Sequence, residues 1–305
     1  MKYFEWHGEK VSQFVLGTAQ LGMNYGISNK TGQPDKKEAF SILDEAIKNG
    51  VTTIDTAQTY GNSEQIIGQW LEKNNHKKHQ INIISKWDAN VDFKNKEQLK
   101  TSAQTSEKTL GVPLWGMMIH DEALLDQFDV IAQVAKDLKK EGVLKYLGAS
   151  VYSVEAAKKA IMNPDIDFIQ VSCNAWDNRM IDSGVFELAQ KNNTLCFVRS
   201  IFLQGVLTMN KEEISNKLPK LSHAYEIWEV ASNRYKVSKR KLAIEFAKQL
   251  NCPLVLGIER QNQVSDNIHL SKTDLSNINF KQINKDVNMG SLNFDLDPRN
   301  WDVGK

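Results

Sequence analysis

Eight short apolar runs, separated by segments of helical periodicity, predict a closed (β/α)8 (TIM) barrel for this chain of 305 residues. The runs are continuous rather than alternating, as expected of parallel strands covered on both faces. An open doubly wound sheet is the alternative. It normally places Gly-x-Gly-x-x-Gly after its first strand, and "LGTAQLGMNYG" lacks that spacing. One domain is expected over 1–305, with a barrel core from about residue 14 to 270 and a C-terminal tail over 271–305.

Residues before 14, with "HGEK" as a turn, read as a hairpin that closes the barrel bottom. The eight runs follow: "FVLGTA" (14–19), "VTTIDTA" (51–57), "INIISKW" (81–87), "LWGMMIH" (114–120), "YLGASV" (146–151), "DFIQVSC" (167–173), "LCFVRS" (195–200) and "CPLVLGI" (252–258). Between the first two, "DKKEAFSILDEAIKNG" predicts a helix that starts at an N-cap, Asp35, and stops at Gly50. "NSEQIIGQWLEKN", "NKEQLKTSAQTSEKTLG", "DQFDVIAQVAKDLKKEG", "SVEAAKKAIM" and "GVFELAQKNN" fill the later intervals. The stretch from about 220 to 250 predicts two helices, the second capped by Ser238, and a last helix begins near "RQNQVSDNI". The tail reads as polar chain draped over the surface.

Composition narrows the function. Apolar residues make up 41% and charged residues 25%, and the formal charge is +1. Nucleic acid and anionic membranes call for a concentrated excess of Lys and Arg, so neither is expected as a partner. The N-terminus "MKYFEWHGEK" is charged where a secretory signal is apolar, and no run approaches a membrane span, which predicts a cytoplasmic protein. Cys173, Cys196 and Cys252 lie in apolar, strand-like runs and read as buried, reduced thiols. No metal site is expected: the histidine pair in "HKKH" (76–79) reads as a solvated basic loop.

Barrel chemistry sits at the C-terminal ends of strands. Asp55 ends the second run, Tyr60 lies in the loop beyond it, Lys86 is near the end of the third and His120 closes the fourth. Singly, each has a plainer reading: a turn cap, a loop aromatic, a lysine reaching solvent, a satisfied core histidine. Together, an acid, a phenol, an ammonium and an imidazole on one rim are costly to desolvate without a task. The expected task is proton transfer. Asp55 would hold Lys86 charged, the ammonium would lower the Tyr60 pKa, and His120 would orient a carbonyl oxygen while Tyr60 acts as general acid.

This pattern resembles the aldo-keto reductases, a barrel family with an Asp, Tyr, Lys and His tetrad and a nicotinamide cofactor. The resemblance rests on "GTAQLG", "TTIDTAQTYGNSE", "IISKW", "MMIH", "LGASVYS", "IQVSCN", "RSIFLQGVL" and "LGIERQNQVSDN", and runs from about residue 14 to 270. It implies that the tetrad is Asp55, Tyr60, Lys86 and His120, and that the protein is an NAD(P)-dependent oxidoreductase. It also implies that Ser150 and Gln170 hold the nicotinamide carboxamide, and that Gly17 and Thr18 line the ribose beside Asp55. Arg199 and Ser200, with Phe202, Leu203, Gln204 and Gly205, would run from the nicotinamide along the pyrophosphate. Gly257, Glu259, Arg260, Gln263 and Asn267 would hold the adenosine end, at a helix N-terminus suited to anions.

Three features depart from the common family pattern. Val151 stands where many members have Asn beside the serine. Arg199 stands where many have an aromatic stacked on the nicotinamide; a guanidinium can stack too, and disfavours the oxidised, cationic ring. Glu259 and Gln263 stand where NADP-binding members usually carry Lys or Arg. Glu259 suits the free 2′-hydroxyl of NAD(H), whereas Arg260 can meet a 2′-phosphate, and family resemblance favours NADP(H) over NAD(H). "RSIFLQG" is similar to a branch associated with sugar and polysaccharide metabolism, which implies a small, sugar-like carbonyl or alcohol as partner. Met23, Tyr25, Trp87, Tyr152 and Trp176 are the candidate substrate contacts, their rings suited to sugar C–H faces. A monomer or small homo-oligomer is expected. Two other readings stay open: an aldolase-like lyase with Lys86 as Schiff-base nucleophile, and a non-catalytic nicotinamide-nucleotide-binding subunit.

Overall fold

Two antiparallel strands, β1 (Tyr3–Trp6) and β2 (Glu9–Ser12), open the chain as a hairpin. His7 and Gly8 at its tip both take positive φ, 48° and 76°, as a two-residue turn between right-twisted strands requires. This computed structural model describes residues 1–273, 275, 277–289 and 296–301. All eight apolar runs are strands: β3 (Phe14–Gly17), β4 (Thr53–Asp55), β5 (Asn82–Lys86), β6 (Leu114–Ile119), β7 (Leu144–Val151), β8 (Phe168–Ser172), β9 (Leu195–Arg199) and β10 (Leu254–Gly257). They close in parallel, in the order β10-β3-β4-β5-β6-β7-β8-β9.

The barrel interior is packed rather than hollow. Val15, Ile84, Trp115, Met118, Phe168 and Phe197 fill it, and the hairpin adds Trp6 and Val11 from below. Trp6 meets Tyr146 with ring centroids 4.8 Å apart, so the hairpin closes the bottom as the sequence predicts. Phe168 needs room. A Cβ on Gly116 or Gly148 would come within 2.6 or 2.5 Å of its ring, which is why two neighbouring strands carry glycine there.

The helices cover the outside through a larger apolar layer that includes Ile42, Leu43, Ile67, Trp70, Leu99, Ile131 and Leu138. The helix Lys36–Lys48 starts where Asp35 accepts from the Glu38 amide, and Ser238 caps Lys239–Gln249 in the same way. Two elements depart from the sequence reading. A helix Lys211–Lys217 forms behind an Asn210–Glu213 capping box. The tail is not merely draped polar chain: Phe280–Met289 is a helix that buries Phe280, Ile283 and Val287, an i, i+3, i+7 stripe. The remainder of the predicted tail, at 274, 276, 290–295 and 302–305, lies outside the described residues.

Strand register sets up the site. Gly17 pairs with both Gly257 and Asp55, Lys86 with Met118, Ser150 with Gln170 and Ser172 with Arg199. These pairs bring the last residues of the strands to one rim. Among the described residues, no helix is long and apolar enough to cross a membrane.

Candidate active site

Asp55 and Lys86, at the ends of adjacent strands β4 and β5, are only 3% and 1% exposed. The Lys86 ammonium donates to both Asp55 carboxylate oxygens at 2.8 Å and to the Thr56 carbonyl at 2.8 Å. Gln170, from β8, donates to Asp55 Oδ1 at 2.9 Å. Burial pulls the Lys86 pKa below its ordinary value, and the Asp55 charge and hydrogen bonds offset part of that pull.

Tyr60 stands above this pair. Its ring centroid is 4.9 Å from the Lys86 ammonium. The loop that carries it is clamped on the short helix Ala19–Gly22: a Cβ on Gly22 would lie 1.7 Å from the Tyr60 carbonyl oxygen, and Asn62 N–H donates to the Gly22 carbonyl at 3.3 Å. His120, just past β6, meets the Tyr60 ring edge-on, centroids 5.8 Å apart at 81°. The Thr59 hydroxyl is 3.2 Å from His120 Nδ1. The four groups anticipated from the sequence therefore converge.

Their electrostatics differ from the sequence reading in one respect. The Tyr60 phenol is raised above the ordinary phenol range, by burial first and by the Asp55 charge second, while the Arg199 charge lowers it. The expectation that Lys86 leaves Tyr60 with a lowered pKa is corrected: desolvation outweighs the cations, and Tyr60 keeps its proton. His120 falls to about 3, chiefly through burial and then through the positive charges of Lys86 and Arg199. Imidazole ordinarily titrates near 6.5, so His120 is neutral throughout the working range. Turnover plotted against pH should therefore show no His120 inflection at about 6.5. An inflection there that vanishes in His120→Asn would contradict this assignment. The sign for stability follows: between about 6.5 and 3 the unfolded chain binds a proton that folded His120 refuses, so stability falls as pH falls.

A cavity of about 330 Å3 opens beside Asp55 and Tyr60, while Lys86 and His120 are not part of its wall. Its walls include Gly17, Thr18, Tyr25, Asp55, Tyr60, Gln170, Arg199, Ser200, Phe202, Gln204, Gly205, Gly257, Glu259, Gln263 and Asn267. Most of the cofactor positions inferred from the sequence thus share one surface. A strap crosses it, where Ser28 N–H donates to the Gln204 carbonyl at 3.5 Å and Lys217 donates to the Ile27 carbonyl at 2.7 Å. Lys30 pairs with Glu213 at 2.5 Å beside them.

Several expected contacts fall elsewhere. Trp87 and Trp176 are wholly buried; Trp87 donates to the Leu99 carbonyl and Trp176 packs edge-on against Trp228, so neither can touch substrate. Ser150, Leu203 and Arg260 do not line the cavity, and neither do Met23 and Tyr152. The Thr18 hydroxyl is committed to the Asp55 carbonyl at 2.9 Å, and Gln170 spends one donor on Asp55. The helix N-terminus at Gln261–Ser271 is partly filled, because Glu38 accepts from the Gln261 amide at 2.7 Å.

Several wall residues escape a sequence reading, Gln20 and Arg240 among them. Arg240 lies in the helix Lys239–Gln249 and acts on Glu259, whose carboxyl is raised by burial and lowered by Arg240 and then Arg260. Only the closed barrel places residues 240 and 259 together.

The fit to a nicotinamide nucleotide can be judged from one atom. Asn267 Oδ1 is buried, has no hydrogen-bond partner, and belongs to a residue that lines the cavity. A buried acceptor of this kind calls for a donor from a ligand, such as the amino group of adenine. Among the described residues, no group of three His, Cys, Asp or Glu side chains could hold a metal ion.

Fold and site together define a barrel oxidoreductase. A sequence model of the Aldo/keto reductase family matches residues 13–287, and the chain belongs to that family. It is thus an NAD(P)-dependent enzyme interconverting carbonyls and alcohols. It is 24% identical over 280 residues to "Uncharacterized oxidoreductase YqkF" of Bacillus subtilis (strain 168), covering 83% of this chain and 89% of that one. It is 26% identical over 249 residues to "NADH-specific methylglyoxal reductase" of Escherichia coli (strain K12), covering 74% of each. The fold is similar to aldo-keto reductase AKR11C1 from Bacillus halodurans in its holo form (TM-score 0.75, 19% identity, 95% of this chain and 96% of that chain). It is also similar to glycerol dehydrogenase AKR11B4 from Gluconobacter oxydans (TM-score 0.72, 21% identity, 97% and 98%).

Proposed function

We propose that this protein is a cytoplasmic reductase of a small, polar, sugar-like aldehyde or ketone, with Tyr60 as the proton donor and NAD(H) as the nucleotide. The observation that carries the reading is the buried Lys86–Asp55 pair beneath the Tyr60 ring, beside a cavity whose wall holds an unsatisfied Asn267 acceptor. When bound, the nucleotide supplies or accepts the hydride.

The chain's own residues do the rest. We assign the Thr59 hydroxyl, 3.2 Å from Nδ1, as the donor, which puts the His120 proton on Nε2, the tautomer that can donate to a carbonyl oxygen. Tyr60, protonated in its buried setting, delivers its proton as negative charge grows on that oxygen, and the phenolate left behind is met by the Arg199 charge and by the Lys86 ammonium 4.9 Å from its ring centroid. Asp55 keeps Lys86 in place. For the alcohol, the same groups run in reverse.

Lys86 is poorly suited to the lyase reading. Its three N–H bonds are all engaged, two with Asp55 and one with Thr56, so a nucleophilic lone pair requires breaking the buried pair. The non-catalytic reading leaves the convergence of Tyr60 and His120 over that pair without purpose.

Two carboxylates support NAD(H), in place of the NADP(H) that resemblance alone favours. Glu259 lines the cavity and would repel a 2′-phosphate while accepting from a free 2′-hydroxyl. Glu38 already occupies the first amide of the helix that would otherwise greet a phosphate. Arg240 also lines the cavity and, with Arg260, lowers the Glu259 carboxyl that burial raises. NADH should bind about tenfold more tightly than NADPH, with the gap narrowing in Glu259→Ser. Titration of both nucleotides, followed by an aldose, ketose and small-aldehyde panel, tests the assignment. Tighter NADPH binding would reverse the nucleotide choice, and absence of turnover across the panel would remove the function.

A further inference from the structure

Arg199 brings to the cavity wall a guanidinium that no carboxylate among the described residues contacts directly. Its guanidinium donates to the Val151 carbonyl at 3.2 Å and to the Ser200 hydroxyl at 3.4 Å, and packs 3.8 Å from the centre of the Tyr152 ring. Arg299 packs against the same Tyr152 ring, 3.5 Å from its centre. No carboxylate among the described residues forms an ion pair with Arg199. Three acids stand near the cluster, among them Glu122, which accepts from the Tyr152 and Ser153 amides and lies 3.9 Å from Arg299. Asp55 is engaged by Lys86, and Asp297, which feels the Arg199 charge, is engaged by Arg299. His120 is neutral, and the Lys86 charge is matched by Asp55. Arg199 thus lines the wall half-buried with no carboxylate in direct contact, and its charge reaches Tyr60, Lys86 and His120.

A ring that exchanges hydride with a carbonyl whose oxygen Tyr60 protonates must lie at the Tyr60 end of the cavity, where Arg199 forms the wall. The oxidised nicotinamide carries a positive charge and the reduced ring carries none. We propose that Arg199 sets the redox preference of the bound nucleotide, holding the reduced form more tightly by repelling the oxidised one. This rests on the nicotinamide reading given above and deepens it.

The test is a comparison of dissociation constants for NADH and NAD+, read by calorimetry on wild type, Arg199→Gln and Arg199→Lys. The ratio Kd(NAD+)/Kd(NADH) should fall about tenfold in Arg199→Gln, mainly through tighter NAD+ binding, and stay within about threefold of wild type in Arg199→Lys. A merely structural role would weaken both forms alike and leave the ratio alone. An unchanged ratio in Arg199→Gln, or a ratio lost equally in Arg199→Lys, overturns the proposal while leaving the functional reading intact. If wild type binds neither form, and neither form of the 2′-phosphorylated nucleotide, the functional reading falls and this inference with it.

Discussion

Tyr60→Phe should lower carbonyl turnover about a thousandfold and leave NADH affinity within about threefold of wild type. The ring stays, so its packing against His120 and over Lys86 is preserved; only the O–H is lost. Neither of its two proton-bearing neighbours can take over. His120 is neutral and holds its proton far too firmly to act as an acid at neutral pH, and Lys86 is tied to Asp55 and Thr56. The alkaline side carries a second signature. Burial and Asp55 raise the Tyr60 pKa, so the reductive rate should not decline through the range where an ordinary phenol ionises. Steady-state kinetics and a fluorescence titration on the same preparation separate loss of chemistry from loss of binding. Retained turnover in Tyr60→Phe would move the proton donor elsewhere.

The second large effect concerns the pair beneath. Asp55→Ala strands a buried ammonium, and Lys86→Ala strands a buried carboxylate; each should cost about 3–5 kcal/mol of stability. Replacing both with apolar residues, Asp55→Leu with Lys86→Met, removes both desolvation penalties and should recover most of the loss. Turnover should not recover, because the ammonium beside the Tyr60 ring is gone. A double-mutant cycle on Tm and on kcat reads the two quantities apart. Parallel recovery of stability and kcat would reduce the pair to scaffolding.

The parts of this account that sequence carries are those with a one-dimensional signature. The eight strands are apolar runs rich in branched residues, and a barrel's geometry then puts the run ends, Asp55, Lys86 and His120, at one rim. Failures come from three-dimensional causes. Trp87 follows Lys86 directly, and adjacent residues of a strand point to opposite faces; with Lys86 on the inside, Trp87 must face the helices. Arg240 meets Glu259 only after the barrel closes. The Tyr60 pKa depends on how much water the rim excludes, which a list of neighbours does not encode. The tail helix is different, since Phe280, Ile283 and Val287 carry a helical stripe legible in the sequence but hidden there by the polar residues between them.

The central claim is that hydride passes directly between a nicotinamide ring at the Tyr60 end of the cavity and a carbonyl carbon. It is tested most directly by supplying wild-type protein with NADH deuterated at the transferring ring carbon and an aldehyde from the reactive panel, then locating the label by mass spectrometry. The account predicts one deuterium on the new carbinol carbon and none when unlabelled NADH is used in deuterated water. Alcohol that forms without the label at that carbon would contradict it.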